Sequence, residues 1–279
     1  MILTPIRRYG AMILMLLTLV FSSEVLAKTH TTTASQKSHL TKASNKQVSN
    51  KQVSSKQEYS RNSAKSSSLP DLRKYPSGTP RKKAFLRTVM PYITSQNAAI
   101  TAERNWLISK QYQGQWSPAE RARLKDIAKR YKVKWSGNTR KIPWNTLLER
   151  VDIIPTSMVA TMAAAESGWG TSKLARNNNN LFGMKCMKGR CTNAPGKVKG
   201  YSQFSSVKES VSAYVTNLNT HPAYSSFRKS RAQLRKADQE VTATAMIHKL
   251  KGYSTKGKSY NNYLFAMYQD NQRLIAAHM

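Results

Sequence analysis

The chain has 279 residues and carries 46 Lys and Arg against 13 Asp and Glu, a formal charge of +33. Any chemistry that needs a carboxylate must draw on those thirteen, and a charge this positive points to a polyanionic partner: nucleic acid, an anionic membrane surface or an anionic wall polymer. Length allows one or two domains.

Residues 1–27 read as a secretory signal. Arg7 and Arg8 supply the basic end, Ala11 to Phe21 the apolar stretch, and Val25-Leu26-Ala27 the small residues a signal peptidase reads. The apolar stretch is short for a membrane span. An exported, periplasmic chain is therefore expected, with the membrane reached only through an uncleaved signal. Export argues against nucleic acid as the partner. Residues 28–80 read as a disordered Ser/Thr/Lys-rich linker, with ten Lys and Arg against two acids and few apolar residues. Such a segment buries too little surface to offset its ordering entropy. It contains a five-residue repeat, Ser44-Asn-Lys-Gln-Val48 and Ser49-Asn-Lys-Gln-Val53, too short for a solenoid unit.

Residues 81–150 are helical in pattern and are expected to pack on the segment that follows. Phe85, Val89, Ile93 and Ile100 fall on one face of a helix or two. Ser117-Pro118-Ala-Glu120 opens another, with Ser as N-cap and Pro at the first helical position.

Residues 151–279 hold the candidate chemistry. A helix starts at Pro155-Thr156, and Met158, Val159, Met162, Ala163 and Glu166 share its apolar face before Gly168 and Gly170 end it. A carboxyl on such a face is costly to ionise, so its pKa should rise, as suits the proton donor of a glycosidase. Trp169 then offers an apolar wall or a sugar platform. Cys186 and Cys191 are the only cysteines; in an oxidising compartment they predict a disulfide across a hairpin end. No His lies near enough to complete a metal site, so no metal or cofactor is expected. Further helices are expected from Val207, around Leu234 to Leu250, and over Tyr263 to Ala277.

Two strings carry a resemblance. Ala163-Ala-Ala-Glu-Ser-Gly-Trp-Gly-Thr-Ser-Lys-Leu-Ala175, followed by Asn179-Asn-Leu-Phe-Gly-Met-Lys185, is similar to the signature of the glucosaminidase family, glycoside hydrolase family 73. The resemblance spans roughly residues 150–275. It implies a lysozyme-like, mainly α fold with a small β-hairpin lobe. It also implies hydrolysis of the β-1,4 bond between N-acetylglucosamine and N-acetylmuramic acid in peptidoglycan. By position Glu166 is then the general acid, Tyr253 and Tyr260 are groove tyrosines that could assist it, and Trp169, Asn180, Phe182 and Tyr201 are substrate contacts. Phe182 reads equally well as core. Lys256 stands where the family has Asp, and Tyr260 falls one residue late.

Family members often supply a second Glu from the β-lobe, but Ser167 to Lys208 contains no acid. Glu209, the first candidate, reads as a solvated helix residue beside Lys208. The enzyme is thus expected to work with Glu166, a tyrosine and the substrate's own N-acetyl group. Two alternatives stay open: a catalytically silent wall-binding module and a lytic transglycosylase. Gly252-Tyr-Ser-Thr-Lys-Gly-Lys-Ser259 fits the nucleotide-binding pattern G-x-x-x-x-G-K-[ST]. That motif requires a strand before the loop, and Ala243 to Leu250 reads as helical, so ATP binding is not expected.

Overall fold

The computed structural model describes residues 68–186, 191, 194–254 and 257–279. The signal, the repeats and linker residues 28–67 lie outside the described residues. Nine α-helices are present among the described residues, with two isolated antiparallel bridges and no longer strand. The architecture is mainly α, as the sequence implies.

Ordered structure begins earlier than the expected linker boundary at residue 80. Leu69 and Leu72 are buried, Leu72–Lys74 forms a 3-10 turn, and the first helix, α1, runs Thr79–Lys110. The reason is a close approach: Gly170, at φ +79°, leaves room for the Leu72 side chain, whose Cδ1 would lie 2.6 Å from any Cβ added there. A local composition rule cannot register so distant a contact.

α1 is one continuous helix despite Pro91. α2 (Pro118–Arg130) opens with a full capping box: Ser117 accepts from the Glu120 amide and Glu120 accepts from the Ser117 amide. α3 covers Trp144–Arg150 and α4 Thr156–Ser167. α4 is apolar almost all round and buried almost all round, as a central helix must be. Its alanines admit close neighbours, and it packs on both α1 and α9 (Lys258–Ala276). α5 (Lys173–Asn178), α6 (Val207–Thr220), α7 (Ser225–Lys236) and α8 (Ala243–Ile247) complete the helices. α1 also packs on α6, so residues 81–150 share one apolar core with the segment after them.

Asp152 ties this arrangement together. It is 1% exposed; Arg235 donates to it at 3.0 Å, while Arg231, fully buried, donates to the carbonyls of Glu149 and Ile153. Buried charge of this kind survives only when paired and hydrogen-bonded. The nucleotide-loop pattern fails its structural requirement: α8 and a turn, rather than a strand, precede Gly252. α9 begins at Lys258, five residues before the expected Tyr263, which places Tyr260 in its first turn.

Candidate active site

α4 ends at Gly168, whose left-handed conformation (φ +56°) turns the chain away one turn after the last buried alanines. Glu166 therefore sits at the open end of a buried helix, half-buried. It faces a groove of about 730 Å³ lined also by Phe182, Gly183, Tyr214, Tyr224, Tyr253 and Tyr260. Tyr260 Oη donates a hydrogen bond to Glu166 Oε1. The second oxygen, Oε2, faces Gly183, where an added Cβ would lie 3.3 Å away. One carboxyl oxygen is held by a phenol and the other has space made for it by a glycine.

The Asn run after α5 explains how Gly183 reaches that position. Asn178 donates to the carbonyl of Val198 and accepts from its amide, and Asn179 donates to the Phe204 carbonyl. Asn180 donates to the carbonyls of Met184 and Ser202 and accepts from the Met184 amide. These side chains satisfy backbone groups that the short bridges Lys185–Tyr201 and Cys191–Ser202 leave unpaired. They fix the small lobe, and Cys186 and Cys191 are joined by a disulfide within it, as expected, with Cα atoms 5.2 Å apart.

The aromatic residues form a stack. Phe182 lies flat on Tyr214 at 3.9 Å, Tyr214 meets Tyr253 edge-on at 6.4 Å, and Tyr253 stacks on Tyr260 at 5.4 Å. Burial pushes the phenols of Tyr253 and Tyr260 far above the ordinary tyrosine range. The charge of Glu166 adds to this at Tyr253, and the neighbouring Tyr253 and the bond to Glu166 add to it at Tyr260. Burial does the same to Tyr214. All three are neutral phenols at ordinary pH, fit to donate hydrogen bonds rather than to act as anions.

Of the residues expected in the site, Glu166, Phe182, Tyr253 and Tyr260 meet there. Phe182 is 3% exposed, so it supports Tyr214 more than it offers a face to ligand. Three expected substrate contacts are placed elsewhere. Trp169, itself left-handed at φ +55°, turns back toward α1, with its ring edge-on to Phe85 at 5.6 Å and under Lys82. Asn180 is 1% exposed and spends its amide on the lobe. Tyr201 lies beside the groove; its hydroxyl accepts from Lys185, which does line it. Sequence reasoning missed Tyr224, His221, Asn217 and Lys132 as groove residues. Their only signal was aromatic and polar content at positions 34 to 58 residues from Glu166.

Glu166 is the sole carboxylate among the described groove residues. Glu209 Oε2 accepts from the Ser205 amide and hydroxyl, both at 2.7 Å, at the start of α6. No cluster of three or more metal-ligating side chains exists among the described residues. A single carboxyl, oriented by a phenol inside an aromatic groove, can donate a proton to an oxygen of a ring-shaped polar ligand.

That equipment suits a glycoside hydrolase, and sequence comparison agrees. The family model described as glucosaminidase, mannosyl-glycoprotein endo-beta-N-acetylglucosaminidase, matches residues 143–273. The chain is also 98% identical, over all 279 residues and the whole length of both, to "Protein bax" of Escherichia coli (strain K12). The chain belongs to the glucosaminidase family of glycoside hydrolases. No solved structure matches it.

Proposed function

We propose that this chain is an exported peptidoglycan hydrolase, an endo-β-N-acetylglucosaminidase with Glu166 as general acid. It would cut the β-1,4 bond between N-acetylglucosamine and N-acetylmuramic acid. The observation that carries the reading is the Glu166 carboxyl in the wall of the aromatic groove, with Oε1 held by Tyr260 and Oε2 beside Gly183. Oε2 then carries the proton to the glycosidic oxygen of the departing N-acetylmuramic acid, as the C1–O bond of N-acetylglucosamine breaks. Tyr260 keeps the carboxyl oriented and steadies the carboxylate left behind.

A two-carboxylate mechanism needs its partners ~5–10 Å apart. With one carboxylate among the described groove residues, the acetamido oxygen of the N-acetylglucosamine itself is the nearest internal nucleophile for C1, and water then opens the resulting ring. The N-terminal signal pattern and the Cys186–Cys191 disulfide both favour a periplasmic location.

Digestion of purified peptidoglycan followed by mass spectrometry of the new ends tests this. Reducing N-acetylglucosamine ends are expected. Ends in 1,6-anhydro-N-acetylmuramic acid would make the chain a transglycosylase, and no product at all would make it a silent wall-binding module.

A further inference from the structure

A second cavity of about 260 Å³ opens beside the groove and shares two lining residues with it, Lys132 and Asn217. Its remaining walls are Glu209, Ser212, Ala213, Thr216 and Thr220, all from one face of α6. The two spaces differ in chemistry. The groove is built from aromatic rings, which suit the faces of sugars. The side cavity has no aromatic residue; it offers hydroxyls, an amide, a carboxylate and the ammonium of Lys132.

Lys132 also sits in an unexpected conformation. α2 closes with a Schellman arrangement, in which the Val133 amide donates to the Ala128 carbonyl and the Lys132 amide to the Lys129 carbonyl. Lys132 is left-handed at φ +54°. Glycine is the cheapest residue at such a position, and a lysine there is strained. Arg150 donates to the carbonyls of both Tyr131 and Lys132, at 3.0 and 2.7 Å, and so locks the strained turn in place. Lys132 is exposed and lines both cavities. A lysine kept where glycine would fold better is most simply explained by what its ammonium meets.

We propose that the side cavity binds a peptide substituent carried by the glycan in the groove, with Lys132 gripping a peptide carboxylate. This rests on the peptidoglycan reading above, whose substrate carries short peptides on its sugars. The sugar ring bearing the peptide lies against the aromatic groove, and the peptide leaves it past Lys132 and Asn217. Its backbone runs along the hydroxyls of Ser212 and Thr216. The pocket makes the peptide-bearing glycan the better substrate, and Lys132 the residue that sets the preference.

Cleavage of soluble glycan strands bearing their peptides, compared with the same strands stripped of peptide by an amidase, tests the proposal on the wild type, Lys132→Gly and Thr216→Trp. The wild type should favour the peptide-bearing strands in kcat/KM by about tenfold, the size of one good charged contact. Lys132→Gly should lose that ratio while melting ~2 °C higher, since it relieves the left-handed strain. Thr216→Trp, which fills the cavity from the half-buried face of α6, should lose the ratio too. A wild type that cuts both strands equally, or a Lys132→Gly variant that keeps the ratio, overturns the proposal and leaves the glucosaminidase reading standing. Equal damage by Lys132→Gly on stripped strands would assign Lys132 to the sugar's own lactyl carboxylate, and overturn it too. A wild type that cuts neither strand overturns the glucosaminidase reading and the proposal together.

Discussion

Replacing Gly183 with alanine separates backbone strain from damage to the candidate acid. Gly183 has φ +62°, and alanine in that region costs about 1–2 kcal/mol. For a chain of this size that lowers Tm by roughly 3–6 °C. The added methyl would also lie 3.3 Å from Glu166 Oε2, closer than carbon and oxygen settle without yielding. The carboxyl or the loop must shift by a few tenths of an ångström, and the methyl crowds the oxygen to which the proposed mechanism assigns the proton. Misplacement on the order of 1 Å costs about a hundredfold in rate, so a shift of a few tenths of that should lower kcat by roughly threefold to tenfold. Gly196→Ala is the control: it has φ +77° and nothing within 4 Å of an added Cβ, so it takes the same strain without the contact. Thermal denaturation and muropeptide release should show similar losses of stability but a loss of kcat in Gly183→Ala alone. Equal kcat in the two variants would refute the geometry assigned to Oε2.

Three further outcomes follow from the same structure. Tyr260→Phe keeps the stack on Tyr253 but removes the donor to Glu166 Oε1; a hydrogen bond to a charged group is worth about 1.5–3 kcal/mol, so Tm should fall by about 2–4 °C per kcal/mol lost, and kcat roughly tenfold to a hundredfold as the carboxyl loses its orientation. Leu72→Ala should cost about 2–5 kcal/mol in denaturant unfolding, because Leu72 is 1% exposed in the core; a loss under ~0.5 kcal/mol would return residues 68–78 to the linker. Tyr214, Tyr253 and Tyr260 hold their protons more tightly folded than unfolded. Their contribution is therefore intact below the free tyrosine value of about 10 and is lost as pH climbs above it, so unfolding free energy should fall between about pH 9 and 11, less steeply in Tyr253→Phe.

Much of this was legible in the sequence because the signals are local. Ser117 and Glu120 lie three residues apart in a capping box, Gly168 marks the end of α4, and the 163–175 and 179–185 strings fix both Glu166 and the lobe. What escaped depended on distance or direction. Leu69 and Leu72 sit in a polar stretch and acquire their core role through distant contacts, Gly170 and Asn179 about 100 residues away among them. Trp169 follows Glu166 by three residues, but two successive left-handed residues, Gly168 and Trp169, turn its ring toward Phe85 instead of the groove. Asn180 belongs to a family string yet serves the lobe's backbone, showing that a motif residue can hold a site in place without touching ligand. Lys132 offered no local signal beyond its charge, since its left-handed conformation shows only in the backbone.

The central claim is that one carboxylate, Glu166, suffices. Parallel assay of Glu166→Gln and Glu209→Gln for release of muropeptides ending in reducing N-acetylglucosamine tests it most directly. Glu166→Gln should lose about 10²–10⁴ in rate with its fold intact, the share a general acid supplies. Glu209→Gln should stay within a few-fold of wild type (~2–3), losing no more than about 1 kcal/mol at the start of α6. Matching losses in the two variants, or a Glu166→Gln enzyme near wild-type rate, would contradict the account.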